Sequence, residues 1–198
     1  MVDVCRPFLD EGRIQPFAVD GVDHLSWMNE GIPLPDHPKR HNQYDRDIVE
    51  EIVPYRWGRC GNGGITAHGY SYGVYHLVNS FFRHPDIFDT KIALSGPFHA
   101  RYCIGDYMDD NVYYNSPIAF LPILNDPRYP KGSRRGRIVI CVGRGYWVDV
   151  FPADTLELKR ILEEKQIPAW IDIWGHDMAH DWPWWKKMMP YFLKELGF

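Results

Sequence analysis

Residues 65–84 read Ile-Thr-Ala-His-Gly-Tyr-Ser-Tyr-Gly-Val-Tyr-His-Leu-Val-Asn-Ser-Phe-Phe-Arg-His. Ile65–His68 has the character of a short strand. From Ser71 onward, Val74, Leu77, Val78, Phe81 and Phe82 recur at helical spacing, and His84-Pro85 closes the helix. Between strand and helix, Gly69-Tyr70-Ser71-Tyr72-Gly73 fits G-x-S-x-G. That context makes it a nucleophile elbow rather than a chance match. Strand and helix approach so closely in such a turn that a Cβ at either flanking position would clash, and glycine removes it. The serine is held in a strained conformation with its Oγ projecting outward. The helix behind it offers free N–H groups and a positive dipole end to a developing oxyanion, with the Tyr72 N–H as the expected donor.

Outward from the elbow, the chain alternates. Met1–Glu11 reads as a helix stopped by Gly12, and Ile14–Val19 as a short strand. Gly31 to Pro38 is Pro-rich loop, and about Arg40 to Trp57 is helical through Tyr44, Ile48, Ile52 and Tyr55. Lys91–Leu94 is a strand closed by Ser95-Gly96-Pro97, which reads as a turn. Arg137–Val142 is a buried strand, Ala153–Lys165 a helix, Ala169–Trp174 a strand and Pro183–Leu196 a last helix. The stretch from Phe98 to Arg135 has no clean period and reads as a lid-like excursion within a single domain spanning 1–198. Its tyrosines (Tyr102, Tyr107, Tyr113, Tyr114) and its carboxylates Asp106, Asp109 and Asp110 are expected over the strand ends. Such alternation predicts an α/β fold, a mostly parallel sheet with helices on both faces and ligands beyond the carboxyl ends of the strands.

A serine needs a base, and the base an orienting acid, in the chain order Ser, then Asp or Glu, then His. His76 and His84 lie on the elbow helix and face away from the cleft, while His99 precedes the candidate acids. His176 and His180 follow the last strand. His180, just before the final helix, is preferred because the loop must reach back to the serine. The acid should follow Arg137–Val142, where Asp149, Asp154 and Glu157 are available. Asp149 lies directly beyond the strand and is preferred; the other two sit where capping or solvated roles are expected. Asp172 reads as a satisfied edge-strand residue. His176 and His180 are spaced i, i+4, but the intervening residues lack the Glu of a zinc-protease helix, so no metal is expected. Five of the eight tryptophans, Trp170, Trp174, Trp182, Trp184 and Trp185, are expected to pack the last strand and helix. Trp182 is also placed to wall an acyl pocket or position His180.

Composition narrows the classes. The 198 residues are 45% hydrophobic and 24% charged, a globular balance that excludes disorder. A formal net charge of -4 gives no general pull toward nucleic acid or anionic membrane. No apolar run reaches the roughly 18–20 residues of a membrane span, and Asp3 and Arg6 interrupt the first residues, which do not read as a signal peptide. Cys5, Cys60, Cys103 and Cys141 form no C-x-x-C pair. Scattered reduced thiols fit a cytoplasmic protein, although pairing is not legible from sequence.

Several segments together resemble bacterial members of the esterase family of α/β-hydrolases, with esterase D and the mycolyltransferases more distant. They are Gly69–Gly73, Phe82-Arg83-His84-Pro85-Asp86, Asp109-Asp110-Asn111, Leu124-Asn125-Asp126-Pro127 and His180-Asp181-Trp182-Pro183-Trp184-Trp185. The resemblance runs over essentially the whole chain. It implies an α/β-hydrolase fold, a Ser71/Asp149/His180 triad, hydrolysis or acyl transfer on a small-molecule ester, and no dissociable cofactor. It leaves room for a homo-oligomer. Relatives carry several strands before the helix that begins here at Met1, so the expected fold is N-terminally truncated. The loop that supplies the other oxyanion N–H would be missing. The rival expectation is a catalytically silent hydrolase-like binding module, or a truncated product with an incomplete oxyanion hole.

Overall fold

The computed structural model describes residues 1–19, 21–61, 63–124, 137–147 and 150–198. Among them, four strands form one parallel sheet in the order β1 (Thr66–Tyr70), β2 (Thr90–Leu94), β3 (Arg137–Val142) and β4 (Trp170–Ile173). Every residue of β2, and β3 from Ile138 on, is buried, as expected of central strands covered on both faces. The register pairs Tyr70 with Leu94, Leu94 with Cys141, and Val142 with Ile173. The carboxyl ends are therefore level, and the loops that follow them lie side by side.

Side-chain alternation along the strands divides the core. Ala93, Ile138 and Ile140 face α4 (Tyr72–Arg83) and α8 (Phe151–Glu164), meeting Val78, Phe81, Leu158 and Ile161. Ile92, Leu94, Val139 and Cys141 face α1 (Val2–Asp10) and α9 (Trp182–Glu195), meeting Phe8, Met188 and Phe192. Helices thus cover both faces. Burying each large side chain contributes about 1.5–3 kcal/mol, which fixes α4 and α9 on opposite sides of the central strands.

The segment Ile14–Val19 is not a strand. The N–H groups of Arg13 and Ile14 both turn back to Phe8 O and finish the end of α1 (2.9 and 3.3 Å). Pro16 has no N–H for a ladder, and Phe17 and Val19 are exposed. Among the described residues β1 has therefore β2 on one side and no strand on the other.

The helix expected from about Arg40 begins earlier, as α2 (Asp36–Asp47). It continues through a π turn at Ile48–Ile52 into α3 (Val53–Cys60), where Gly61 takes φ 75°. The described part of the excursion holds short helices α5 (Arg101–Ile104), α6 (Asp110–Tyr114) and α7 (Pro117–Phe120). Ala100, Ile104 and Val112 form a small core with Trp27 and with Tyr75 of α4. Asp109 caps α6, accepting from Val112 N–H at 2.8 Å and from Tyr107 O–H at 3.0 Å. No helix among the described residues is long and apolar enough to cross a membrane.

Candidate active site

Ser71 sits between β1 and α4 with φ 52° and ψ -126°. A non-glycine residue at positive φ is strained, and its surroundings hold it there. Its N–H donates to Leu94 O at 3.2 Å, and its own carbonyl accepts from Val74 N–H at 3.0 Å. A Cβ at position 69 would lie 2.3 Å from Gly73 O, so the first glycine is obligatory. A Cβ on Gly73 would meet nothing within 4 Å, which corrects the expectation that both flanking glycines relieve a clash. The second obligatory glycine is Gly96, after β2, where a Cβ would fall 2.3 Å from both Ser71 O and Val74 Cβ. Ser95-Gly96 is thus the floor on which the elbow rests. Tyr72 opens α4, so its N–H has no intrahelical acceptor and is free to bind an anion.

His180 Nε2 lies 2.8 Å from Ser71 Oγ, across 109 residues of sequence. Several contacts hold the ring. Its backbone N–H donates to Tyr146 O at 3.0 Å, in the loop after β3. Gly145 N–H donates to Met178 O and Trp174 N–H to Val142 O, both at 2.9 Å, so the two loops continue the pairing of β3 with β4. Phe151 and Trp185 lie against the imidazole, each with its centroid 5.0 Å away. Trp185 belongs to the tryptophan cluster expected to pack the last strand and helix, and nothing in the sequence singles out Phe151. Trp182 is half-exposed, and its ring touches Tyr70 and Trp185 (5.6 and 5.2 Å), the second of which lies against His180. Burial lowers the His180 pKa, with the Asp181 carboxylate pulling the other way, so the ring is neutral near pH 7. A neutral Nε2 facing a hydroxyl can accept its proton.

His180 Nδ1 is buried and has no partner among the described residues. Asp149 lies outside those residues. Asp154 is engaged elsewhere: it accepts from Tyr102 O–H (2.7 Å), Arg101 Nη2 (3.2 Å) and Phe98 N–H (3.3 Å), binding the excursion to α8. Glu157 is exposed. Asp172 accepts from Trp174 Nε1 at 2.9 Å. His176 is exposed, with its ring against Arg144 O. Among the described residues no three His, Cys, Asp or Glu side chains gather to hold a metal. A shallow depression between Lys159 and Ile171 lies at the amino end of β4, away from Ser71.

No family model matches the sequence, and no curated protein matches it closely enough to count. Solved structures do. A ferulic acid esterase superposes over 98% of this chain and 75% of its own, with 18% identity and a TM-score of 0.69. An S-formylglutathione hydrolase from Staphylococcus aureus matches 79% of this chain and 62% of its own, at 17% identity and TM-score 0.55. The acylaminoacyl peptidase of Pyrococcus horikoshii matches 79% and 28%, at 16% identity and TM-score 0.55. This chain thus spans less than two thirds of the second and third proteins. The parallel sheet, the elbow between β1 and α4 and these superpositions together give the chain the α/β-hydrolase fold.

Proposed function

We propose that the chain is a serine carboxylic-ester hydrolase, an esterase or acyltransferase acting on a small-molecule ester. One observation carries the reading: the hydroxyl of a strained elbow serine lies 2.8 Å from an imidazole nitrogen at the carboxyl ends of a parallel sheet. Two of the similar structures, named as an esterase and a hydrolase, support it.

Ser71 Oγ attacks the ester carbonyl while its proton passes to His180 Nε2. Negative charge gathers on the former carbonyl oxygen, where the Tyr72 N–H and the positive end of α4 stabilise it. The imidazolium returns the proton to the leaving alcohol, and an acyl group remains on Ser71. Water, or an acceptor alcohol in the transferase case, gives its proton to His180 as it attacks the acyl carbonyl, and the imidazolium returns that proton to Ser71 Oγ as the acyl–oxygen bond breaks. Asp149 is the proposed acid, accepting from His180 Nδ1–H. The residues that bracket it support this role, because Tyr146 O binds His180 N–H and the Phe151 ring packs on the imidazole.

The test is labelling of Ser71 by a fluorophosphonate together with turnover of p-nitrophenyl acetate. Labelling that disappears in Ser71→Ala supports the proposal. A folded protein that neither labels nor turns over the ester would instead be a silent binding module.

A further inference from the structure

A line of buried polar groups that the hydrolytic steps do not use runs beside the elbow helix. Asp23 Oδ1 lies 2.5 Å from His76 Nε2, and His76 Nδ1 lies 2.8 Å from His41 Nε2. His41 Nδ1 lies 2.6 Å from Asn115 Oδ1. His41, His76 and Asn115 are all buried. Arg83 ends the line: its Nη1 reaches Asn42 Oδ1 at 3.0 Å and Asn115 Oδ1 at 3.2 Å.

The direction of each hydrogen bond is forced from the Arg83 end. A guanidinium only donates, so both asparagine oxygens face it. Asn115 Nδ2 is spent on Asn42 Oδ1 and Asn111 O, both at 2.8 Å. Asn115 Oδ1 therefore accepts, and His41 Nδ1 carries the proton. Burial first, and the neighbouring His76 second, press His41 down to about 3, so it is neutral and its Nε2 is a bare acceptor. His76 Nδ1 must then donate. Its remaining nitrogen faces a carboxylate, which also only accepts. His76 therefore donates at Nδ1 and meets Asp23 at Nε2 through one shared proton.

We propose that His76 is a positioning residue that clamps the 21–28 segment to the elbow helix through Asp23 and so fixes the wall beside the Tyr72 oxyanion donor. The inference rests on the ester-hydrolase reading for its catalytic part alone. Among the described residues, the titratable groups facing His76 are Asp23 from the segment, His41 and Tyr44 from α2, and Tyr72 and Tyr75 from α4 itself. Burial raises both Tyr72 and Tyr75, so neither supplies a charge near neutrality. Asp23 is then the group through which the ring holds the segment. The second side of the wall is tied to the same residue, because the Tyr72 hydroxyl meets Cys103 Sγ of α5. The 21–28 segment is anchored beneath by the buried Trp27 against Tyr75. Asp23 itself is about one third exposed, so its replacement leaves that anchor in place.

The protonation state is tested on the full chain carrying nitrogen-15 histidine. At pH 8 His76 Nδ1 should show a bound-proton shift, and the Nε2 shift should change in Asp23→Asn. A bare His76 Nδ1 in the wild type overturns the assignment, whatever the activity. The positioning role is tested with Asp23→Asn by ester kinetics and fluorophosphonate labelling, after a melting curve confirms folding. A loose wall should lower kcat/KM by roughly 10–100-fold, as small misplacements do, with Ser71 still labelled. Unchanged kcat and KM overturn the positioning role. Failure of the wild type to label sinks the hydrolase reading instead, and leaves the nitrogen shifts to judge the clamp.

Discussion

His180 and His76 both lie close to the elbow, yet their surroundings are opposite. His76 is saturated, with a partner on each ring nitrogen. His180 has one nitrogen on Ser71, while the other finds no partner among the described residues. A ring committed at both ends cannot pass a proton without breaking a contact. A ring that meets a hydroxyl on one side and keeps its other nitrogen uncommitted can pick up that proton and return it. Saturation suits a clamp, and the second arrangement suits a base.

Replacing the working pair should break this contrast most severely. Ser71→Ala or His180→Ala is expected to lower kcat by about 10⁴–10⁶-fold, with an unchanged melting temperature. Ester turnover and calorimetry on the same samples check both halves.

Asp149→Asn comes next, at about 10⁴-fold in kcat, as for a triad whose acid can no longer hold the imidazole tautomer. Asp154→Asn should behave oppositely. Its carboxylate satisfies three donors of the excursion, so the loss is of stability, about 1–3 kcal/mol in urea titration, with kcat nearly preserved. If the two variants exchange phenotypes, the assignment of the acid is wrong.

Gly96→Ala sharpens the comparison from the side of the backbone. The added methyl would overlap Ser71 O and Val74 Cβ, and overpacking of this kind costs about 1–3 kcal/mol. Because the overlap falls on the elbow itself, activity should drop as well. Gly73→Ala, with open space around its Cβ, should be far milder in both assays.

The pH effects are the smallest. Burial depresses His180, so its neutral form survives below the ordinary 6.5. The acid limb of kcat/KM should therefore turn down at a pH lower than 6.5. Depression of His41 acts on stability. Between 6.5 and about 3 the unfolded chain takes up a proton that folded His41 refuses. Its contribution is complete above 6.5 and is lost progressively as pH falls through that window. His41→Gln should flatten the acid side of the stability profile measured by denaturant titration.

Much of this architecture was legible as pattern. The elbow, the elbow helix, the central strands and the last helix are local signals, carried by glycine placement and by apolar periods within a few residues. Ile14–Val19 misled because strand alternation says nothing of whether an edge is available, and Pro16 with the end of α1 removed the donors. Gly96 read as an ordinary turn because its constraint is a contact with Val74, on another element. Phe151 was missed since an aromatic at a helix start carries no mark of the ring it will face. His76 was placed on the elbow helix, away from the cleft, but its partners Asp23 and His41 lie 53 and 35 residues away in sequence.

The sequence by itself determined the alternating elements and the strained serine, because those depend on short-range sterics and periodicity. Only the tertiary structure decided that His180 reaches Ser71, that Asp154 is committed to the excursion, and that two histidines form a hydrogen-bonded line with fixed donors. Those outcomes depend on which buried groups meet across the sheet and the helices, and no spacing along the chain encodes such meetings.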